Sequence, residues 1–464
     1  MKSLVLFVSL LILFISCNTS SNNKLMVETW LTDPAANLLF QKQTPGNVDE
    51  KNTAATISID DKQTYQTMDG YGFSLTGGSA FHLHNMDAAN RAALLKELFT
   101  TDGNNIGISY LRVSIGASDL DDHVFSYDDL PKGQTDTAME KFSIAEDKKW
   151  LIPVLKEILA INPDIKILGS PWSAPLWMKT NDSVRGGSLK QEYHNAYAKY
   201  FVKYIQAMKA EGINIDAITI QNEPLHPGNT PSMYMLPEQQ GAFLKNSLGP
   251  AFKAAGLKTK IILYDHNADR PDYPMSILAD KEAAQYADGS AFHLYAGPID
   301  TLSKVHDAFP GKNLYFTEQW TGAPGNIPED LKWNVKTLLI GGARNWCKNY
   351  LQWNLAANSK YEPHTSDGGC DQCLGGVTID GNNVKRNSGY YNIAHASKFV
   401  RPGSVRIASN MIEGLPNVAF RTPDGKKVLV VLNETNKART FKIVDGGQVA
   451  FELLNSGAVA TYVW

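Results

Sequence analysis

The feature that most constrains the fold of this chain is an alternation of short apolar runs with amphipathic segments. Eight runs rich in β-branched and aromatic residues predict strands, at 70–75, 108–115, 165–172, 216–223, 259–266, 289–296, 313–320 and 348–355. Many are separated by segments such as 147–160 and 193–210, whose apolar residues recur three and four positions apart and predict helices. Apolar strands covered by helices are typical of parallel sheets, and eight such units can close into a barrel. We therefore expect an α/β fold, with a (β/α)₈ TIM barrel over residues 66–398.

The pattern changes near the C-terminus. Residues 399–464 contain short strand-like runs separated by turns such as Pro423-Asp424-Gly425, without helical periodicity. This pattern is typical of an antiparallel β-sandwich. Residues 25–65 also show strand and turn signals. We therefore expect the N- and C-terminal segments to form one β-sandwich attached to the barrel.

The charge balance argues against one class of partner. The chain has 44 Lys and Arg residues against 47 Asp and Glu, a formal net charge of −3. A nucleic-acid-binding protein needs an excess of cationic side chains to replace phosphate counterions. We expect no nucleic-acid partner and a monomeric protein.

The N-terminus has the layout of an export signal. Lys2 precedes an apolar run at residues 4–15, which is too short to span a bilayer, and Cys17 follows directly. We predict a lipoprotein-type signal peptide at 1–16, lipidation of Cys17 and a polar tether at 17–24, so that only the lipid anchor associates with the membrane. The alternative is a simple secretion signal with a chance cysteine. We expect an outer-membrane lipoprotein that faces either the cell surface or the periplasm.

Three further cysteines are too few for a disulfide framework. Cys370 and Cys373 have a metal-like spacing without a second ligand pair, which favours a loop disulfide over a zinc site. Cys347 lies among apolar residues and is predicted to be a buried thiol.

Polar residues at the ends of the predicted strands mark the reactive face, because active sites of such barrels lie at the C-terminal ends of the strands. Glu223 ends the fourth run and Glu318 lies near the end of the seventh, so the two glutamates could face each other across the barrel mouth. Paired carboxyls suit glycosidic bond cleavage, in which one donates a proton while the other attacks or stabilises the sugar carbon. Such chemistry requires no metal or organic cofactor.

Other strand-end residues suit a sugar site. Arg112 on the second run could keep Glu318 ionised. His293 and Tyr295 are two residues apart on one strand and point to the same side. Indole rings stack on the apolar faces of sugars, and some of these indoles could equally be core residues. The tryptophans near strand ends are Trp172, Trp177, Trp320 and Trp353.

These segments together resemble glycoside hydrolase family 30, which includes glucosylceramidases and β-1,6-glucanases, and most closely its bacterial β-1,6-glucanase branch. The resemblance covers nearly the whole chain after the signal segment. The matching segments, in family order, are Gly70-Tyr71-Gly72, Leu111-Arg112-Val113, Ser170 to Pro175, Asn222-Glu223-Pro224, His293-Leu294-Tyr295, Thr317-Glu318 and Trp353 to Ala356.

The resemblance implies a role for each site residue. Glu223 would be the acid/base and Glu318 the nucleophile of a retaining double displacement, with the carboxyls about 5 to 5.5 Å apart. The remaining assignments are Asn222 to the sugar 2-hydroxyl, Tyr295 and Arg112 to Glu318, and Trp172, His293, Trp320 and Trp353 to substrate binding. Because Glu318 is charged, we expect Glu223 to have the higher pKa before attack.

One departure from the family pattern bears on the substrate. The glucosylceramidases carry an aspartate that binds outer hydroxyls of the terminal glucose, and we place Gly77 at that position. This suggests an open site for an endo-acting β-1,6-glucanase, because O6 of the cleaved sugar carries the preceding residue. The alternatives are an exo-acting β-glucosidase or glucosylceramidase, a xylan- or fucose-directed enzyme, and a non-catalytic glycan-binding surface lipoprotein.

Overall fold

The computed structural model describes residues 24–44 and 55–464. The predicted signal peptide and Cys17 lie outside the described residues. Three strands precede the barrel: β1 (Glu28–Asp33), β2 (Leu38–Gln43) and β3 (Ala55–Thr67).

Eight parallel strands form the barrel, and each coincides with one of the predicted runs. They are β4 (Gly70–Ser74), β5 (Tyr110–Ser114), β6 (Lys166–Ser170), β7 (Ala217–Thr219), β8 (Lys260–Asn267), β9 (Ala287–His293), β10 (Asn313–Glu318) and β11 (Asn349–Asn354). The sheet order is β10-β9-β8-β7-β6-β5-β4-β11. A parallel bridge between Leu314 and Cys347 brings β10 and β11 together, and Lys348 N donates to Leu314 O at 2.9 Å. The predicted (β/α)₈ barrel is therefore confirmed.

Helices follow every barrel strand. They are α1 (Gly77–Asn85), α2 (Ala88–Phe99), α3 (Leu151–Ile161), α4 (His194–Ala210), α5 (Pro237–Phe243), α6 (Gly249–Ala254), α7 (Asp272–Ala279), α8 (Lys281–Ala284), α9 (Thr301–Ala308), α10 (Ile327–Asn334), α11 (Gly341–Arg344) and α12 (Ser388–Ser397). Short π-helical turns, Leu244–Leu248 and Val335–Ile340, connect α5 to α6 and α10 to α11. Among the described residues, none of the helices combines the length and apolar character needed to cross a membrane.

The barrel interior has an apolar lower layer. Seven of the eight strands contribute one buried residue each to this layer: Tyr110, Leu168, Ala217, Ile262, Ala291, Tyr315 and Leu351. Such a layer fills the barrel, so that it is a packed core and not a channel. Ligand access is therefore confined to its ends.

The remaining strands are β12 (Ala356–Ala357), β13 (Val377–Asp380), β14 (Asn383–Arg386), β15 (Val405–Ser409), β16 (Asn417–Arg421), β17 (Lys427–Leu432), β18 (Arg439–Asp445), β19 (Gln448–Leu454) and β20 (Val459–Val463). The first three form a small sheet in the order β12-β13-β14, and the others join β1–β3 in a nine-stranded sheet of order β19-β18-β3-β15-β16-β17-β20-β1-β2. The expected union of N- and C-terminal segments is therefore present. Within the nine-stranded sheet the pairing is antiparallel except between β18 and β3, which run parallel.

Strand β17 shows how the second domain is attached. Val428, Val430 and Leu432 pack into the core shared with the barrel, whereas Leu429 and Val431 point into the core of the sandwich. Successive strand residues face opposite sides, so a run that is apolar throughout is buried on both faces. Arg344 joins the domains by donating to Asn417 O at 2.6 Å and Ser409 O at 2.9 Å.

Candidate active site

A buried carboxylate, Asp265, organises the polar layer above the apolar floor. Strand β8 contains a register shift between Tyr264 and His266, and Tyr264 and Asp265 have φ of 71° and 70°. Non-glycine residues rarely adopt such values, and a bulge of this kind re-aims a side chain. Asp265 Oδ2 accepts hydrogen bonds from Arg112, Ser170 and Thr219 at 2.7 to 2.8 Å.

The other oxygen of Asp265 accepts a hydrogen bond from Thr317 Oγ1 at 2.6 Å and lies 3.1 Å from His293 Nε2. Burial raises the pKa of Asp265, but the Arg112 charge and these hydrogen bonds outweigh burial and hold that pKa well below its usual range. Asp265 is therefore a fixed anion that orients Arg112 and His293. Sequence analysis missed it, because an aspartate at the end of an apolar run does not reveal which way the side chain points.

Glu223 and Glu318 face each other over this layer. Glu318 ends β10, whereas Glu223 lies four residues beyond the end of β7, with φ 44° and its N–H donating to Asp265 O at 3.0 Å. A carboxylate oxygen of Glu223, one of Glu318 and a ring nitrogen of His293 all lie within 4.8 Å of one another. This spacing is close to the separation of about 5 to 5.5 Å found in retaining glycosidases.

Two donors bind the carboxyl group of Glu318 and favour its ionised form. Arg112 Nη1 donates to Oε2 at 2.5 Å and Tyr295 Oη donates to Oε1 at 2.9 Å. Burial raises the pKa of Glu318 above its usual value, while the charges of His293 and Arg112 oppose that rise. A carboxylate paired with a guanidinium in this way is available as a nucleophile at neutral pH.

Glu223 is paired with a histidine. His293 Nδ1 lies 3.2 Å from Glu223 Oε1, and Asn229 Nδ2 donates to Oε2 at 3.1 Å. Burial raises the pKa of Glu223, but the hydrogen bond and charge of His293 outweigh burial and lower that pKa to about 2. Burial in turn lowers the pKa of His293, but Glu318, Asp265 and Glu223 raise it to about 9.

The expectation that Glu223 has the higher pKa before attack is therefore wrong for the free protein. Asp265 accepts from Nε2 of His293, so the second ring proton lies on Nδ1, directly opposite Glu223. Glu223 and His293 share one proton, and in the free protein it resides on the imidazole. The sequence predicts His293 only as a substrate-binding residue, so this proton-holding role is a finding of the structure.

Metal binding by this cluster is disfavoured by the partners already present. Glu223, His293 and Glu318 could each offer one ligand atom. However, Glu318 is bonded to the cation of Arg112, and His293 carries its own positive charge between the two carboxylates. These charges leave the cluster with little attraction for a further cation.

Aromatic residues form one wall of a cavity of about 420 Å³ that contains both glutamates. Trp172 and Trp353 are 2% and 4% exposed, with ring centroids 5.3 Å apart, and Arg112 Cζ lies 4.8 Å from the Trp172 ring centre. This contact is a cation–π interaction that supports Arg112. Tyr295 and Trp320 are 39% and 36% exposed at the rim, where a sugar ring can stack on them.

The other sequence-predicted residues occupy distinct places. Asn222 Oδ1 accepts from Arg112 Nη2 at 2.7 Å, and its amide nitrogen has no hydrogen bond to any other described residue. Cys370 and Cys373 form a disulfide at the cavity wall. Trp177 does not line the cavity, and its indole N–H donates to Asp128 O. Cys347 is buried, as predicted.

Asp119 is the second residue that sequence analysis missed. It lines the cavity, is 6% exposed, and its buried Oδ1 has no hydrogen-bond partner among residues 24–44 and 55–464. Burial and the charges of Glu318 and Glu223 raise its pKa well above the usual range. A buried polar group without a partner costs free energy, which points to a ligand that would satisfy it.

Gly77 begins α1, and a Cβ atom there would lie 1.6 Å from Asp121 Oδ1, which explains the glycine. The absence of a side chain at this position is therefore consistent with the local packing. The acidic residue Asp119, which lines the cavity, comes from the loop after β5.

Four polar side chains line the side of the cavity next to Glu223: His226, Asn229, His266 and Asn267. His266 Nε2 lies 3.9 Å from Glu223 Oε1, and burial lowers the pKa of His266 to about 4. This ring is therefore neutral at physiological pH and can donate or accept a hydrogen bond. The cavity thus has an aromatic half beside Glu318 and an imidazole–amide half beside Glu223.

Comparisons with known proteins agree with this arrangement. Residues 68–400 match the family model of the glycosyl hydrolase family 30 TIM-barrel domain, and residues 403–462 match that of the family 30 β-sandwich domain. The chain is 36% identical over 442 residues to an endo-1,6-β-D-glucanase of Neurospora crassa, covering 90% of this chain and 89% of that protein. It is 29% identical over 441 residues to the lysosomal acid glucosylceramidase of Mus musculus, covering 89% and 84%. The solved endo-β1,6-glucanase BT3312 superposes with a TM-score of 0.87 at 38% identity, over 94% of this chain and 99% of that chain.

Proposed function

Because this chain belongs to glycosyl hydrolase family 30, we infer that its facing glutamates hydrolyse β-1,6-linked glucan internally and with retention of configuration. The observation that carries this conclusion is the approach of Glu223 and Glu318 oxygens within 4.8 Å, with Arg112 bonded to only one of them. The two glutamates therefore have different chemical roles. Glu318 is the fixed anion and Glu223 is the residue that exchanges a proton with its surroundings.

In the first step, Glu318 attacks the anomeric carbon and forms a glycosyl ester while the bond to the leaving oxygen breaks. His293 passes the shared proton to Glu223 along the 3.2 Å contact, and Glu223 donates it to the leaving oxygen, so that both groups then lack this proton. In the second step, a water molecule transfers a proton to Glu223, which returns it to His293, and the water oxygen bonds to the anomeric carbon. The ester breaks and the Glu318 carboxylate is restored.

The buried groups keep this geometry in place. Asp265 holds Arg112 and His293 through opposite oxygens, so a single carboxylate orients the partners of both glutamates. The free amide nitrogen of Asn222 is available to donate to the sugar 2-hydroxyl beside Glu318. Preorganised donors of this kind stabilise the transition state without reorganising during the reaction.

The substrate assignment rests on similarity and on the polarity of the cavity. The relatives at 36% and 38% identity are endo-β-1,6-glucanases. The leaving group departs on the side of Glu223, where His226, His266 and Asn267 offer hydrogen bonds to a second sugar. Asp119 can bind the 3- and 4-hydroxyls of a β-1,6-linked glucose. The preceding sugar residue is attached to O6, so these two hydroxyls are free.

Glucosylceramidase-type exo action is the second candidate, since the mouse relative covers most of the chain at 29% identity. A panel of β-1,3-, β-1,4- and β-1,6-linked glucans, with the products sized over time, separates the candidates. Internal cleavage of the β-1,6 polymer releases long oligosaccharides first. Glucose as the sole early product would contradict endo action, and an uncut β-1,6 polymer would contradict the linkage.

We also propose that the protein is exported as a monomeric lipoprotein anchored to an outer membrane through Cys17, on its outer or periplasmic side. The apolar segment 4–15 and the cysteine that follows it support this proposal, as does the Cys370–Cys373 disulfide, which is typical of oxidising compartments. A Cys17→Ser variant is expected to leave the membrane fraction, and sedimentation gives the oligomeric state. A variant that remains membrane-bound would contradict the anchor.

A further inference from the structure

The loop 358–376 crosses the mouth of the barrel after β11 and β12. Its Thr365 N–H donates to Asp119 O at 2.9 Å, and its Thr365 hydroxyl donates to Thr230 O at 2.6 Å. These contacts tie the loop to the loops that follow β5 and β7. A single segment therefore spans from the aromatic half of the cavity toward the half that holds Glu223.

The far part of the same loop is tied to the segment after β10. Ala323 N donates to Gln372 O at 2.9 Å, and Leu374 N donates to Thr321 O at 3.0 Å. Gln372 lies between the two cysteines of the disulfide. The position of the cross-link is thus fixed relative to the strand that ends in Glu318.

The disulfide itself forms part of the cavity surface. Cys373 is 2% exposed and packs in a cluster with Leu120, Trp172 and Trp353, and the half-buried Cys370 packs against this cluster. Both cysteines line the cavity. The cross-link therefore packs against the Trp172–Trp353 pair. Both indole rings lie close to the guanidinium of Arg112, the partner of Glu318.

Two glycines lie beside the cross-link. Gly368, which has φ of +81°, and Gly369 directly precede Cys370. Two adjacent residues without side chains therefore lead into the cross-linked turn. Glycines gain conformational freedom when a constraint is removed, and a disulfide limits that freedom. Without the bond, substrate binding would have to order this turn, which weakens binding.

We propose that the Cys370–Cys373 disulfide is a positioning element of the glucan-binding wall, holding the loop 358–376 and the Trp172–Trp353 pair in their binding geometry. The proposal rests on the glucanase function inferred above. The disulfide takes no part in bond cleavage. Its loss is therefore expected to weaken glucan binding and to leave the chemical step nearly intact.

The test compares the oxidised enzyme with a Cys370→Ser/Cys373→Ser double variant on β-1,6-glucan. KM is expected to rise about tenfold, and kcat to change less than about twofold, because a loop that must be ordered on binding affects binding first. Asp367→Asn is the matched control. Asp367 lies in the same loop, its carboxylate pairs with Arg185 at 3.2 Å, and it does not line the cavity.

Reduction of the folded wild-type enzyme provides a second arm if the double variant does not fold. A water-soluble phosphine takes the oxygen atom of one water molecule to become its oxide, while the disulfide takes up two electrons and the two protons of that water to give two thiols. Thiol titration follows the reaction, and a β-1,6-linked gluco-oligosaccharide is expected to slow it by covering the bond. Tryptophan fluorescence should change in parallel, because Trp172 and Trp353 pack on the disulfide cluster.

Each outcome bears on a different claim. An unchanged KM after complete reduction, or oligosaccharide that gives no protection, would overturn the positioning role while glucan cleavage by the oxidised enzyme still stands. A fall in kcat with unchanged KM would also overturn it, because the bond would then act on catalysis. An oxidised enzyme that does not cleave β-1,6-glucan would refute the proposed function, and the present proposal with it.

Discussion

Replacement of Asp119 by alanine tests how the cavity holds the sugar. The residue is 6% exposed and its Oδ1 has no hydrogen-bond partner among the described residues, so the variant removes two polar oxygen atoms that can each bind a sugar hydroxyl. A hydrogen bond contributes about 0.5 to 1.5 kcal/mol. Two such bonds correspond to about 1 to 3 kcal/mol, and kcat/KM for β-1,6-glucan should therefore fall about 5- to 150-fold.

The same variant should become more stable relative to the wild type as the pH rises. Burial and two neighbouring charges raise the pKa of Asp119 in the folded protein, so the folded state binds its proton more tightly than the unfolded state does. The contribution of Asp119 to the free energy of unfolding therefore falls as pH rises above the usual aspartate range. The difference in Tm between Asp119→Ala and the wild type should become more positive between pH 4 and pH 7.

Asp121→Asn is the control. Asp121 lies two residues away in the same loop, but its Oδ2 accepts from Ser118 N and Oγ at 2.7 and 2.9 Å, and it does not line the cavity. This variant should keep kcat/KM within about threefold of the wild type. The reasoning would be refuted if Asp119→Ala kept full activity, or if both variants lost activity equally.

Further variants test the two neighbours of Glu223. In His293→Gln, the alkaline limb of kcat/KM, set by the pKa of about 9 on His293, should move at least about one pH unit toward acid, because Glu223 must then hold its own proton. An unchanged limb would contradict proton sharing. In His266→Ala, kcat/KM should fall up to about tenfold on β-1,6-glucan but less than about twofold on an activated aryl β-glucoside, which lacks a second sugar. Equal losses on both substrates would show that His266 acts through Glu223 and not on the leaving sugar.

The barrel could be predicted from the sequence because its evidence is local. Each strand run is mainly apolar, and burial on both faces produces that pattern. The positions of the strand ends were predicted less accurately. The predicted fourth run extends to residue 223, but β7 ends at Thr219, and Glu223 lies beyond it with a positive φ. The polar residues after the strand still converged, because all eight strands end at the same face.

The residues that were missed depend on non-local geometry. Asp265 points inward because of a bulge, and no residue pattern in the run 259–266 specifies that bulge. Asp119 lies in a loop, where register cannot be read from periodicity. The parallel pairing of β3 with β18 likewise joins segments that are far apart in the chain.

The position of the proton on His293 also depends on non-local geometry. Sequence spacing predicts that His293 and Tyr295 share one side of β9, and both contact the glutamate pair. Spacing cannot show that Asp265 faces the second ring nitrogen. That contact determines where the proton lies, and it reverses the expected pKa order.

The most direct test of the mechanism is to trap the covalent intermediate. An activated 2-deoxy-2-fluoro β-glucoside forms the glycosyl ester readily but hydrolyses it slowly, and peptide mass spectrometry then locates the added sugar. The account predicts the label on Glu318 in the wild type and no label in Glu318→Gln. A label on Glu223 or Asp119, or an equally labelled Glu318→Gln variant, would contradict it.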